Sequence, residues 1–547
     1  MSDQLDSPEK TLHSLRSRAV HLVLVLLAAS SFMHAQDDVS PSPPTAISGP
    51  VSVGVDINKE AKNFLAPRAL GVQGSLYDPD MLKPESAELL KAAGILTLRY
   101  PGGNAADNSH WSTYNKYDGR HPVDFGSFAK LTDKIGGTMV LSVNYGSNLK
   151  NDGPGEPAEA AAWVAYANGK PGDPKVIGAD SAGNDWKTVG YWAEMRSSAP
   201  LQDDDGYNFL RIAHPQQLNV KYWEVGNEIY TNGYFEKDNG GTENDHHAPY
   251  SEDSKRNAGL RAKNEKLGPA VYGENAVKFA KAMKAVDPRI SVGVVLSPTT
   301  AGPSYADWNA AVLKGCAAEI DFVSLHWYAD YYAPPDWKSQ DNVRLLVSTT
   351  TDLQPMITGL IDEMRLAPGG KMLQLAVTEL GVHPWLHGAD STAMGLFAAD
   401  AYASLAEDGA VNIDWAELHG GSLVTQKDDK PQPAYFGIEM MHKMMNMRDI
   451  FVTAKSSNSL LSVHAAKRAD GSVGLMFVNK DPKNAATVKV KINGENLAKA
   501  GSRYDWGATS AQSGHEVQQS QVESLGNSFT ITVSAYTVTD LVIPIAK

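Results

Sequence analysis

The apolar positions of the chain fall into two regimes. From residue 51 to about 425, short apolar runs of strand length alternate with stretches of helical period. The runs are 69–72, 95–100, 138–144, 221–225, 291–296, 320–326, 372–378 and 411–416, with helical patterns such as 84–93 and 272–286 between them. Eight strand–helix units predict a (β/α)8 barrel rather than an open doubly wound sheet. After residue 430 the pattern shortens. The runs 460–466, 473–479, 486–492, 529–533 and 539–545 are separated by Asp-Gly, Asn-Gly and Gly-Asn turns, which predicts an all-β sandwich. The alternating segment 51–57 reads as a further strand. The expected architecture is therefore a (β/α)8 TIM barrel over 63–430 and a C-terminal β-sandwich over 431–547. The segment 51–62 is expected to join the sandwich as an N-terminal strand.

Two stretches, 146–218 and 231–270, exceed what barrel connections need. The second follows the fourth strand and carries Glu243-Asn244-Asp245-His246-His247. It reads either as a lid over the active-site face or as a solvated insertion.

The amino terminus differs from both regimes. Lys10, Arg16 and Arg18 precede an apolar run over 19–29, and Met33-His34-Ala35 offers a small residue for cleavage. Residues 1–35 are expected to be a signal peptide, and 36–50 a Pro-rich linker. The apolar run is short for a membrane span of about 20 residues. The expected location is secreted or periplasmic, with no membrane association after cleavage.

Composition narrows the function. With 547 residues, 42% hydrophobic and 20% charged, the chain has enough apolar surface for a large core, and general disorder is excluded. A net charge of −14 argues against a nucleic-acid partner. The one cysteine, Cys316, excludes an intrachain disulfide and every Cys-based zinc pattern. No H-E-x-x-H spacing accompanies His246, His247 or His383, and no G-x-G-x-x-G or G-x-x-x-x-G-K motif opens a helix. Neither a metal nor an organic cofactor is expected.

In a barrel of this class, reactive side chains project from the carboxyl ends of strands. The fourth strand runs into Tyr222-Trp223-Glu224-Val225-Gly226-Asn227-Glu228, and the seventh into Thr378-Glu379-Leu380. A glutamate at each of two strand ends suggests glycoside hydrolysis, in which one carboxyl protonates the leaving oxygen and the other attacks or activates water.

The segment Trp223-Glu224-Val225-Gly226-Asn227-Glu228-Ile229-Tyr230 resembles the acid/base segment of clan A glycoside hydrolases, and most of all the family 51 α-L-arabinofuranosidases. Arg99-Tyr100-Pro101-Gly102-Gly103-Asn104 is similar to that family's second-strand motif, and Ser324-Leu325-His326-Trp327-Tyr328 to its sixth-strand segment. The resemblance implies a retaining enzyme with Glu228 as acid/base and Glu379 as nucleophile. It also implies that Asn227 bonds the sugar 2-hydroxyl. Arg99 could hold a carboxylate, meet a hydroxyl or form a structural ion pair. Asn104 can donate and accept, as a sugar hydroxyl requires. His326 and Tyr328, two apart on a strand, share a face. Tyr328 could bond the nucleophile, and His326 could orient the acid/base or be a satisfied core histidine. Among Trp111, Tyr114, Tyr331, Tyr332, Trp337 and Trp385, the first candidates for stacking on a sugar are Trp385 and Trp111.

The chain departs from the family in Thr378-Glu379-Leu380, in Gln73 where the family places a sugar-binding glutamate, and in the eighth-strand end Asp414-Trp415-Ala416-Glu417-Leu418-His419. The expected substrate is an arabinose-containing poly- or oligosaccharide. The alternatives are a clan A hydrolase of another sugar (of β-xylosidase, β-glucosidase or β-glucuronidase type) and a non-hydrolytic carbohydrate-binding protein. Oligomeric state is not legible in the sequence.

Overall fold

A computed structural model describes residues 44, 46–64, 69–113, 123–150, 153–230, 269–298, 308–329, 342–382, 392–420, 423–508 and 516–546. The expected signal peptide, most of the linker, the 231–268 part of the candidate lid, His383 and Trp385 lie outside these residues. Among the described residues, no helix is long and apolar enough to cross a membrane.

Eight parallel strands close into a barrel in sequence order: β2 (Leu70–Gln73), β3 (Thr97–Tyr100), β4 (Thr138–Val143), β5 (Tyr222–Val225), β6 (Ser291–Val295), β7 (Phe322–Tyr328), β8 (Gln374–Gly381) and β9 (Ala410–Trp415). All eight predicted strands are present. They are buried almost throughout, as parallel strands with helices outside and side chains inside must be. Trp223 shows the outer packing: it meets Trp163 of the helix Pro157–Asn168 edge-on at 5.8 Å. The long 146–218 stretch contains that helix and a second, Val189–Ser197.

The remaining nine strands form one hydrogen-bonded sheet. Its order is β15 (Gln518–Val522), β14 (Gly501–Gly507), β17 (Thr537–Pro544), β12 (Ser472–Asn479), β11 (Leu461–Lys467), β10 (Ile450–Ser456), β1 (Val51–Phe64), β13 (Ala486–Asn493) and β16 (Ser528–Val533). Strand β1 pairs antiparallel with β10 and parallel with β13, so the amino-terminal strand lies inside this sheet. The sheet folds over one apolar core shared by Val53, Leu475, Val490, Ile531 and Ile543. Alternation in β13 is complete: Ala486, Val488, Val490 and Ile492 are buried, and the residues between them are exposed.

The expected start of the sandwich at 431 needs correction. Residues Pro433–Met444 form a helix that packs on the barrel helix Thr392–Glu407. A Cβ on Gly437 would lie 2.2 Å from the Gly395 carbonyl oxygen, so the two helices meet backbone to backbone. The sheet resumes only at Ile450.

Candidate active site

The site is organised around Arg99, which is wholly buried inside the barrel. A buried guanidinium needs partners for its fixed donors. Its Nε and Nη2 donate to Glu224 Oε2 at 2.9 and 2.7 Å, and its Nη1 donates to Glu379 Oε1 at 2.9 Å. Nη1 also bonds Gln73 Oε1, and Nη2 bonds Asn227 Oδ1 at 2.9 Å. One cation on the second barrel strand thus fixes groups from the first, fourth and seventh. Burial alone would raise the Glu224 carboxyl, but the charges of Arg99 and His326 together with hydrogen bonds from Ser142 and Ser324 outweigh it and hold Glu224 below the ordinary range. Thr378 donates to Glu224 Oε1 at 3.0 Å, and Ser142 also bonds Glu224.

Two local features deliver the candidate catalytic glutamates. Beyond β5 the chain turns through Gly226, and Asn227 N donates to Asp107 Oδ2 at 2.9 Å. Glu228 follows with φ +42°, a left-handed conformation that costs a non-glycine residue about 1 kcal/mol or more. In β8 the register against β7 shifts between Leu325↔Val377 and His326↔Glu379. This irregularity lets adjacent Thr378 and Glu379 both reach into the barrel, which regular alternation forbids.

His326 Nδ1 lies 2.8 Å from Glu228 Oε1 and 3.5 Å from Glu379 Oε2. Tyr328 donates to Glu379 Oε2 at 2.6 Å, and Tyr230 donates to Glu228 Oε1 at 3.2 Å. One carboxylate oxygen from each glutamate and a ring nitrogen of His326 all lie within 4.8 Å of one another. That spacing would admit a cation as well as a sugar, and His326, Tyr328 and Tyr230 already hold the two carboxyls by hydrogen bonds. Burial pushes His326 down, but the charge of Glu379 and its bond to Glu228 more than reverse this, so its pKa is raised. Glu228 is the mirror case: burial raises it, but the His326 hydrogen bond and charge bring it below the ordinary range. The two shifts tie the imidazole and the Glu228 carboxyl together as one proton-sharing pair.

Asn104 and Asn227 also meet, Asn227 Nδ2 donating to Asn104 Oδ1 at 3.3 Å. Gly102 is required there: its φ is +85°, and a Cβ would sit 2.1 Å from the Gly74 carbonyl oxygen. Arg99, Asn104, Asn227, Glu228, His326, Tyr328 and Glu379 thus converge at the carboxyl ends of the strands. Trp111 does not join them as an open stacking face. It is 6% exposed, stacks on Trp163 at 5.8 Å and meets Trp192 edge-on at 5.0 Å, so aromatic packing claims it.

The structure adds residues that strand-end reasoning passed over. Glu224, in mid-strand, is the principal partner of Arg99; a glutamate inside one apolar strand and an arginine inside another were the available signal. Asp107 anchors the Asn227 backbone. Glu417, just past β9, accepts from Gln73 Nε2 at 3.5 Å. Burial, with the charges of Glu379 and Asp78, pushes it up to about 7.

No protein-family model matches the chain. Among curated proteins it is similar to the intracellular exo-α-(1→5)-L-arabinofuranosidases of Acetivibrio thermocellus and Bacillus subtilis. Identity to the first is 24% over 304 residues, covering 50% of this chain and 46% of that protein. Identity to the second is 26% over 291 residues, covering 49% and 44%. The match thus spans about half the length of these relatives. The α-L-arabinofuranosidase structure from Thermotoga maritima superposes with a TM-score of 0.65 at 18% identity, over 90% of this chain and 99% of that one. The two chains share one fold. A family 44 xyloglucanase from Paenibacillus polymyxa also aligns, with a TM-score of 0.59 at 13% identity over 91% and 100% of the two chains. The barrel-plus-sheet architecture is therefore shared beyond one specificity.

Proposed function

We propose that the chain is an exported retaining glycoside hydrolase that removes α-L-arabinofuranosyl groups from arabinose-containing poly- or oligosaccharides. The observation that carries this reading is the pair Glu228 and Glu379, with carboxylate oxygens within 4.8 Å at the ends of the fourth and seventh barrel strands. Retaining enzymes hold their carboxyl groups about 5–5.5 Å apart, whereas inverting enzymes need about 6.5–9.5 Å to seat a water. Sequence similarity to arabinofuranosidases supports the choice of sugar.

In the first step Glu379 Oε2, oriented by Tyr328, attacks the anomeric carbon as the bond to the leaving oxygen breaks. Glu228, which shares a proton with His326 across a 2.8 Å contact, passes that proton to the leaving oxygen and is left as a carboxylate. In the second step Glu228 withdraws a proton from water, which attacks the same carbon and releases Glu379. Arg99, held by Glu224, aims the Glu379 carboxyl through its 2.9 Å hydrogen bond. No step calls for a metal or an organic cofactor. Undiminished turnover after exhaustive chelation is expected, and a loss restored by a divalent ion would overturn that point.

A second reading keeps the chemistry and changes the sugar. It is favoured by the hydrogen bond of Gln73 to Glu417, since both residues depart from the family 51 pattern beside the nucleophile. A panel of 4-nitrophenyl glycosides, with proton NMR of the first-formed product, tests both readings. Turnover of the α-L-arabinofuranoside with retention supports the first; turnover of a xyloside or glucoside alone selects the second. Absence of any turnover leaves only a carbohydrate-binding role.

A further inference from the structure

Beside the two glutamates stands a third carboxyl that the two-step reaction does not use. Strand β9 pairs with β2 and β8, so the ends of these three strands bring together Gln73, Glu379 and Glu417. The Glu417 carboxyl is held on two sides. Gln73 Nε2 reaches Oε1 at 3.5 Å, and the backbone at Gly420 approaches so closely that a Cβ there would fall 2.5 Å from Oε2. Gln73 is itself fixed, because its Oε1 is taken by Arg99. Glu417 is therefore a placed group at the rim of the nucleophile's pocket, partly open to solvent.

We propose that Glu417 is a specificity-determining residue of the glycosyl pocket: with Gln73 it bonds a hydroxyl of an uncharged sugar, and it turns away sugars that carry a carboxylate. The inference rests on the glycoside-hydrolase reading above and narrows its substrate class to neutral glycosyl groups.

The charges facing Glu417 decide how it behaves. Glu379 from β8 and Asp78 from the segment after β2 are both acidic, and burial adds to their effect, so Glu417 takes up its proton near pH 7. Tyr328 from β7 is neutral and feels the Glu417 charge. The nearby cations are already engaged: Arg99 by Glu224 and Glu379, and His419 by Asp78 at 2.6 Å and Asp429 at 2.9 Å. Below the transition Glu417 can both donate to a sugar oxygen and accept from a hydroxyl. Above it the donor is gone, and a second negative charge stands beside the nucleophile, where an anionic sugar meets like-charge repulsion.

The test compares the wild type with Glu417→Gln, which fixes a donor without charge, and Glu417→Leu, which removes both. Each is assayed on 4-nitrophenyl α-L-arabinofuranoside, β-D-xyloside and β-D-glucuronide across the neutral pH range. In the wild type, KM for the neutral substrate should rise as the pH passes about 7, with no matching step in kcat. Preference for neutral sugar over glucuronide should widen by roughly tenfold or more across the same step. Glu417→Gln should keep the low-pH KM and lose both steps, whereas Glu417→Leu should raise KM about tenfold at every pH. An active wild type whose KM and preference are unchanged in Glu417→Gln across the whole range overturns the role of Glu417 and leaves the hydrolase reading standing. Preference for the glucuronide overturns the inference in the same way. A wild type that cleaves no glycoside overturns the hydrolase reading and this inference with it.

Discussion

Two buried charge clusters in this molecule obey the same physics and reach opposite ends. At the strand ends, five carboxyls (Glu224, Glu228, Glu379, Asp414 and Glu417) face two cations, Arg99 and His326. At the junction between the barrel helix Thr392–Glu407 and the sheet, Asp400 and Glu407 face Lys480 and His464, with the buried Asp540 of β17 also near His464. Lys480 Nζ lies 2.8 Å from Asp400 Oδ2, and neither side chain is exposed beyond 1%. At the junction the opposite charges are nearly matched: despite burial, Lys480 and His464 hold the Asp400 carboxyl low, and Glu407 and Asp400 raise His464. The strand-end cluster is acidic in excess, so its pKa values spread: Glu224 and Glu228 fall, while Asp414 and Glu417 rise. It also carries a backbone outlier at Glu228, the mark of a position kept for reasons other than stability. The larger acidic excess, rather than burial, separates the reactive cluster from the structural one.

That contrast can be broken most directly at the nucleophile. Glu379→Ala should lower kcat/KM by at least about 10⁴-fold for every leaving group, because no covalent intermediate can form. Azide should restore activity only by giving the inverted β-glycosyl azide. Glu228→Ala should cost about 10²–10⁴-fold on glycosides with poor leaving groups and far less on those of acidic phenols. Azide should then return the α-glycosyl azide, with the configuration of the substrate retained. Identical leaving-group and azide responses in the two variants would reverse or dissolve the assignment of roles.

At the junction the expectation is the opposite. Lys480→Met leaves Asp400 with a net negative charge in a buried site, and removing one partner of such a pair costs about 3–5 kcal/mol. Denaturant unfolding should register that loss, while kcat/KM at 25 °C stays within a few-fold of the wild type. A variant that loses activity in the native state without losing stability would show that the junction also shapes the site.

How much of this was legible beforehand follows from where each signal lives. The eight barrel strands are contiguous apolar runs, and period alone finds them. Glu228 and Glu379 are found by position, at the ends of such runs. The irregularity that turns Glu379 inward is invisible, because it depends on pairing between β7 and β8 and not on the residues of either. Strand β15 is missed because Gln518–Val522 is polar and exposed, an edge strand whose pairing with β14 leaves no apolar trace. The helix Pro433–Met444 lies just past residue 430, where the shortening pattern predicts the sandwich to begin. Trp111 was misread because its place beyond a strand end gives no hint of the aromatic cluster that encloses it.

The smallest expected effect separates the clusters by pH. His464 faces Asp400 at 3.1 Å and Glu407 at 3.2 Å from the barrel helix, with Lys480 and the buried Asp540 from the sheet also near. Burial lowers His464, but the carboxylates prevail and raise it to about 10. A histidine raised on folding contributes stability that is complete below its unfolded pKa, near 6.5, and that is lost as the pH climbs through the folded value. Melting temperature should therefore decline by a few degrees between about pH 7 and 10 in the wild type. His464→Gln should start lower and stay flat over that range. His326 is raised too, and there the proton belongs to the acid/base pair, so its loss should appear as the alkaline limb of kcat at a pH where the fold is still intact. If activity and melting temperature fell together, and His464→Gln moved both, the two clusters would be one coupled system rather than a reactive site and a structural joint.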